Sequence, residues 1–163
     1  MENVIIITQA RIGSTRLPSK VLKEIEGKSL LQIHLERLKK SRYGDNIIVA
    51  TTFEDGVEKI IKIAKSVEVD YYQGDTNDVL DRFYNAAKGK SPDYIVRVTS
   101  DCPLLDPVLM DEIIQLGVVN DLDYTTNTLI EAFPDGQDVE VIKWSAFEKS
   151  WNETSLKSDR EHV

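Results

Sequence analysis

The sequence predicts an α/β protein built on a largely parallel sheet covered on both faces. Apolar β-branched runs alternate with segments whose apolar residues recur at helical spacing. The first run, Val4 to Thr8, has no polar alternation, the mark of a strand buried on both sides. It passes directly into Ala10-Arg11-Ile12-Gly13-Ser14-Thr15-Arg16-Leu17-Pro18-Ser19-Lys20. That stretch carries three cations and a flexible backbone at a strand's carboxyl end, which suits a polyphosphate.

The elements follow in order. Leu30, Leu31, Ile33, His34, Leu35 and Leu38 form a helical stripe, with Ser29 as the expected N-cap. Ile47 to Thr52 reads as a second buried strand. Glu54 to Ser66 reads as a helix with Val57, Ile60, Ile61 and Ala64 on one face. A third strand spans Val67 to Tyr72, a third helix Asp78 to Lys88, and a fourth strand Tyr94 to Thr99. The loop Ser100-Asp101-Cys102-Pro103 leads to a helix from about Pro107 to Gly117. Pro107 suits a first helical turn, where its missing N–H costs nothing. Asp123 to Asn127 and Asp138 to Lys143 read as two later strands, and Ser145 to Trp151 begins another helix. No internal repeat or low-complexity tract interrupts this order.

The 163 residues suit a single domain. A net charge of −8 argues against broad nucleic-acid binding, which needs a basic face, but not against one nucleotide held by a local cationic loop. Cys102 is the one cysteine, so no intrachain disulfide forms, as expected of a reducing compartment. The N-terminal apolar run is too short for a signal peptide, and no stretch approaches the ~20 residues of a membrane helix. The expectation is a soluble cytoplasmic protein with no membrane partner.

In an open α/β sheet, ligands bind outside the carboxyl ends of strands where the winding reverses. The first and fourth strands are the expected neighbours there, so their loops should face each other. One offers Arg11, Arg16 and Lys20; the other offers Asp101. Cations opposite a carboxylate are the ingredients of a metal–nucleoside triphosphate site, with Mg²⁺ bridging carboxylate and phosphate. Each also has a plain reading: solvated loop charges for Arg11 and Lys20, a turn for Gly13, a helix-capping or Asx-turn role for Asp101.

Other features point elsewhere. Gly27-Lys28-Ser29 resembles the end of a P-loop, but Leu22 stands where the motif needs a glycine. His34 lies on an apolar helix face and reads as core; neither it nor His162 has a partner at zinc-site spacing. A Cys102 thiolate beside Asp101 would be disfavoured, which argues against a nucleophile. Asp121-Leu122-Asp123 has the spacing of a glycosyltransferase metal motif, but a solvated turn fits its position better.

Together, the Ala10 to Lys20 stretch and Gly27-Lys28-Ser29-Leu30-Leu31 resemble the opening of the sugar nucleotidyltransferases, in particular the cytidylyltransferases. That group includes the synthetases of CMP-acylneuraminate and CMP-3-deoxy-manno-octulosonate and the spore-coat polysaccharide biosynthesis proteins. Gly74 to Arg82, Ser100 to Pro107, Phe133 to Val141 and Arg160 to Val163 resemble further motifs of the spore-coat-like branch, in the same order. The resemblance implies a Rossmann-like nucleotidyltransferase fold, three-layered αβα, with a mixed, mostly parallel seven-stranded sheet. It implies transfer of CMP from CTP to a sugar or sugar acid with release of pyrophosphate, and a possible homodimer.

The resemblance also implies residue roles. Ala10 to Gly13 and Ser14 would approach the nucleotide, with Ser100 beside them. Arg11 and Lys20, helped by Arg16, would neutralise the triphosphate. Asp101 would hold Mg²⁺, and Asp78 and Arg82 would lie near base or ribose. Asn127, Asp138 and Glu140 would face the acceptor. Relatives carry a further C-terminal part that supplies a second metal carboxylate, so residues 1–163 are expected to form one nucleotidyltransferase domain that is C-terminally incomplete. Two rivals stand beside this reading. One is a non-catalytic nucleotide-binding or scaffold domain. The other is a same-fold transferase using another nucleoside triphosphate, whose first loop would be richer in glycine than this one, where Gly13 stands alone.

Overall fold

The structure of the protein, a computed structural model, describes residues 2–13, 17–130 and 132–161. Its strands are β1 (Val4–Gln9), β2 (Glu24–Ile25), β3 (Lys28–Ser29), β4 (Ile47–Thr51), β5 (Asp70–Gln73), β6 (Tyr94–Thr99), β7 (Tyr124–Thr126) and β8 (Glu140–Lys143). Its helices are α1 (Leu30–Leu38), α2 (Glu58–Ser66), α3 (Val79–Ala87), α4 (Pro107–Val119), α5 (Trp144–Glu153) and α6 (Lys157–Glu161). Short 3-10 turns occupy Lys20–Leu22 and Lys88–Lys90.

The main sheet runs β5-β4-β1-β6-β8-β7. β1 lies parallel to β4 and β6, and β4 parallel to β5, while β8 is antiparallel to both β6 and β7. The chain winds outward from β1 through β4 to β5, then returns across β1 to lay down β6. The winding therefore reverses between the first and fourth buried strands, where the sequence placed it. Among the described residues the main sheet has six strands rather than seven. β2 and β3 pair only with each other, because Glu26 and Gly27 turn the chain back at positive φ.

Two cores follow from strand alternation. Val4 and Ile6 of β1 point to one face, with Leu31 and Leu35 of α1, Ile60 of α2 and Met110 and Ile114 of α4. Ile5 and Ile7 point to the other, with Leu80 and Phe83 of α3 and Phe147 of α5. This is the three-layer αβα arrangement that the unbroken apolar runs require. Among the described residues no helix is long and apolar enough to cross a membrane.

Boundaries moved where side chains or backbone conformation overrode periodicity. α2 starts at Glu58 rather than Glu54, because Gly56 sits at φ +87 and the Glu54 carboxylate is engaged elsewhere. β5 starts at Asp70 rather than Val67, since Glu68 adopts a left-handed conformation after the helix. Ser29 caps α1 as expected, accepting the N–H of Gln32 at 3.1 Å. Ser29→Ala should lower unfolding stability by about 1 kcal/mol. A urea unfolding midpoint equal to the wild type would show that this cap is energetically silent.

Candidate active site at the strand switch

The loops after β1 and β6 meet. Lys20 Nζ donates to Asp101 Oδ2 at 2.5 Å, a contact 81 residues apart in sequence. The first loop is closed at its root by the Ser19 N–H on the Ile12 carbonyl at 3.1 Å, with Ser19 at positive φ just before Lys20. The second turns tightly: Cys102 N–H donates to Thr99 O, and Leu105 N–H to Cys102 O. Burial alone would push the Asp101 carboxyl up. The hydrogen bond and charge of Lys20, with Thr99 assisting, outweigh it and hold the group below the usual carboxylate range. Ser14 and Arg16 lie outside the described residues, as does His162.

His34 is core, as its helix face required, but it also supports this loop. Its Nδ1 lies 3.1 Å from the Cys102 carbonyl and its Nε2 3.0 Å from Thr8 Oγ1. A carbonyl only accepts, so in the neutral ring Nδ1 carries the proton and Nε2 accepts from the Thr8 hydroxyl. The fully buried imidazole thus links β1 to the residue after Asp101. Burial drives its pKa down to about 4. Cys102 itself carries a raised pKa, from burial first and then the charges of Asp101, Asp138 and Asp135. The thiol stays protonated at neutral pH, in keeping with a non-nucleophilic role.

A cleft of about 690 Å³ opens over these loops, lined by Lys20, Thr99, Asp101, Asp135 and Asp138 among others. Its far wall is built by amides. Gln137 accepts the Asp106 N–H at 2.8 Å and donates to the Leu104 carbonyl at 3.1 Å, tying the Asp101 loop to the segment before β8. Asn127 donates to the Gln137 carbonyl at 2.7 Å and accepts the Val139 N–H at 2.9 Å. Asn127 therefore builds the wall that carries Asp138, with its amide spent on backbone.

A second group of charges lies on the α3 face. Arg82 is almost wholly buried, donating to the Asp75 carbonyl at 2.6 Å and to Gln9 Oε1 at 3.2 Å. Among the described residues its Nε has no hydrogen-bond partner. Burial lowers its pKa, and the charge of Arg11 lowers it further. The exposed Arg11 and buried Arg82 thus act on one region at the end of β1. Asp78 caps α3 through the Asp81 N–H at 2.9 Å and receives Arg160 Nε at 2.7 Å, so its carboxylate is committed to holding α3 and α6. Ser100 is buried beneath its loop and does not line the cleft. Ala10 is buried at the strand end, donating its N–H to the Ala50 carbonyl at 3.1 Å.

Glu140 accepts from Tyr124 Oη at 2.7 Å and pairs with Arg97, its register partner on β6. Sequence reading missed Arg97, Gln137 and Glu54. Arg97 sits within an apolar β-strand run, where a lone charge signals a buried partner, but only the register identifies Glu140. Among the described residues no group of three His, Cys, Asp or Glu assembles as a metal cage. Asp121 forms a left-handed turn and binds Lys143 at 2.6 Å, so the Asp121-Leu122-Asp123 stretch is a turn, as expected.

An open α/β sheet with cationic and acidic loops facing each other at its switch point is the arrangement in which α/β proteins place their ligands. A cytidylyltransferase family model matches residues 5–157. The chain belongs to the cytidylyltransferase family. It is 43% identical over 162 residues to an uncharacterized protein of Methanocaldococcus jannaschii, covering 98% of this chain and 65% of that one. It is 36% identical over 131 residues to the spore coat polysaccharide biosynthesis protein SpsF of Bacillus subtilis, covering 77% of this chain and 54% of that one. The chain thus spans between about half and two thirds of the length of these relatives. A cytidylyltransferase structure from Leptospira borgpetersenii superposes with a TM-score of 0.95 at 38% identity, covering 99% of this chain and 69% of that one. The structure of a CMP:2-keto-3-deoxy-manno-octonic acid synthetase complexed with CTP superposes at 0.74 and 17% identity, covering 99% and 83%, a likeness of fold.

Proposed function

We propose that residues 1–163 form the nucleotide-handling domain of a Mg²⁺-dependent sugar cytidylyltransferase, moving CMP from CTP to a sugar or sugar acid. One observation carries the reading: Lys20 on the β1 loop holds Asp101 on the β6 loop at 2.5 Å, across the switch point. A cation and a carboxylate brought together there are what a triphosphate with its metal needs.

The acceptor hydroxyl oxygen bonds to the α-phosphorus and releases its proton to solvent, the bond from that phosphorus to the bridging oxygen breaks, and pyrophosphate leaves with the electron pair. Charge grows on the phosphoryl oxygens and the leaving group, so fixed cations stabilise the transition state more than the ground state. Lys20 exchanges Asp101 for a phosphate oxygen when the triphosphate enters, and Arg11 flanks it. Gly13 lies on the same side, and Ser14 and Arg16, which follow it in the sequence, are assigned to the phosphates with it. Arg82 faces the nucleoside end, with Asp78 holding α3 beside it and Ser100 supporting the Asp101 loop from below. Asp138 faces the acceptor from the cleft, with Asn127 and Glu140 supporting that side.

The residues present fit Mg²⁺. Asp101 already accepts a cation, the Lys20 ammonium, and Mg²⁺ commonly takes one or two carboxylates with the rest of its shell from phosphate and water. Bound there, Mg²⁺ would supply charge neutralisation on the phosphate oxygens. The reaction belongs in the cytoplasm, carried out by a homodimer with no nucleic-acid partner.

The test is pyrophosphate release, with CTP, ATP, GTP and UTP each crossed against sugars and sugar acids in Mg²⁺. Release with CTP and one acceptor class is the expected result. Release only with another nucleotide assigns a same-fold transferase. CTP binding without release under every pairing overturns the catalytic reading in favour of a nucleotide-binding module.

A further inference from the structure

Glu54 lies in the loop after β4, and its Oε2 accepts the N–H groups of both Ile12 and Gly13, each at 3.1 Å. Successive backbone N–H groups converging on one oxygen form a concave seat for an anion. Here a side chain of the protein fills it. The carboxylate packs directly on Gly13, where an added Cβ would stand 2.7 Å from Glu54 Oε1. The seat lies at the root of the cationic loop, where Arg82 feels Arg11 and Glu54 together. Glu54 is half-buried between exposed Phe53 and Asp55, so the carboxylate has solvent to turn into.

We propose that the Glu54 carboxylate competes internally with a phosphate oxygen. It fills the Ile12–Gly13 seat in the free protein and yields it when a polyphosphate binds. The inference rests on the reading that the loop after β1 receives a triphosphate. One oxygen already takes both N–H groups, so carboxylate and phosphate cannot share them. A carboxylate left beside several phosphate charges would be repelled, whereas in solvent it regains its hydration. The polyphosphate in turn gains Arg11 and Lys20. Glu54 therefore sets nucleotide affinity below what the loop alone would give, keeping the bound state reversible.

The sign of one measurement separates this role from a structural one. A carboxylate that only anchors the loop would, when removed, loosen the loop and weaken binding; a competitor, when removed, tightens it. The probe is inorganic tripolyphosphate, titrated by calorimetry into the 163-residue chain, with Glu54→Gln and Glu54→Ala compared. Glu54→Gln keeps the shape but loses the charge that strengthens its hold on the two N–H groups. Thermal unfolding checks that both variants fold. Tripolyphosphate should bind roughly 5- to 10-fold more tightly to both variants, the scale of one charge-assisted contact, and CTP should displace it. Equal or weaker binding by the variants, with the wild type still binding, overturns the competitor role and leaves the nucleotide site standing. No tripolyphosphate binding by any of the three proteins overturns both.

Discussion

Lys20→Ala is expected to lower CMP transfer by about 100-fold, near 2.7 kcal/mol of transition-state stabilisation, the scale for removing one preorganised charged donor. Lys20 begins its turn directly after the left-handed Ser19, which aims its ammonium across the switch at Asp101. Both side chains are about one third exposed, so their ion pair contributes little to folding, at most ~1 kcal/mol. The variant should therefore lose turnover with almost no change in melting temperature. Asp101→Ala should remove the Mg²⁺ dependence of CTP binding, again in a folded protein. Lys20→Arg is not a safe rescue, since a planar fork does not reproduce a compact ammonium. Pyrophosphate release in Lys20→Ala at the wild-type rate would remove Lys20 from the reaction, and an unchanged Mg²⁺ titration in Asp101→Ala would remove the carboxylate.

The second large effect is acid sensitivity through His34. The ring has a pKa of about 4 in the folded protein against about 6.5 unfolded, with burial the leading cause. Between these values the unfolded chain binds more protons, so stability rises with pH across that window and falls as the solution is acidified through it. Above pH 6.5 the group is neutral in both states and costs nothing. By pH 4 the full cost is reached, about 3 kcal/mol. Protonation also forces Nε2 to donate, so Thr8 must turn its hydroxyl, while Nδ1 keeps its donation to the Cys102 carbonyl. His34→Gln keeps polar atoms near both partners without titrating. Its unfolding free energy should be flatter than the wild type between pH 6.5 and 4. Identical pH profiles for the two proteins would show that His34 does not carry the acid sensitivity.

The layered fold was legible because burial on both faces leaves an unmistakable trace in composition. Val4 to Thr8 and Ile47 to Thr51 have no polar alternation, and α1 declares its buried stripe and its Ser29 cap in one segment. The β2–β3 hairpin was not legible. Its strands are two residues long and mostly exposed, so no periodicity marks them, and only the positive φ of Glu26 and Gly27 makes the turn. The start of α2 was misplaced for a related reason. Glu54 is a good residue for a first helical turn, but its carboxylate is drawn 41 residues back to Gly13.

Within the candidate site, the types of residue were evident and their partnerships were not. Arg11, Lys20 and Asp101 stand out because charges and glycine collect after buried strands, where α/β proteins bind ligands. Nothing local shows that Asn127 spends its amide on the backbone of Gln137 and Val139, or that Asp78 is held by Arg160. His34 read correctly as core, yet its second task depends on Cys102, 68 residues away.

By itself the sequence determined the layered αβα class, the order of the main elements and the two loops that carry the cations and the carboxylate. These follow from local periodicity and from the cost of burying polar groups, and both are written residue by residue. Only the tertiary structure decided what each charge faces. It set Lys20 against Asp101, Glu140 against Arg97 and Glu54 on the N–H groups of Ile12 and Gly13. Those pairings depend on strand order and register, which bring together residues far apart in the chain, and no local pattern encodes them.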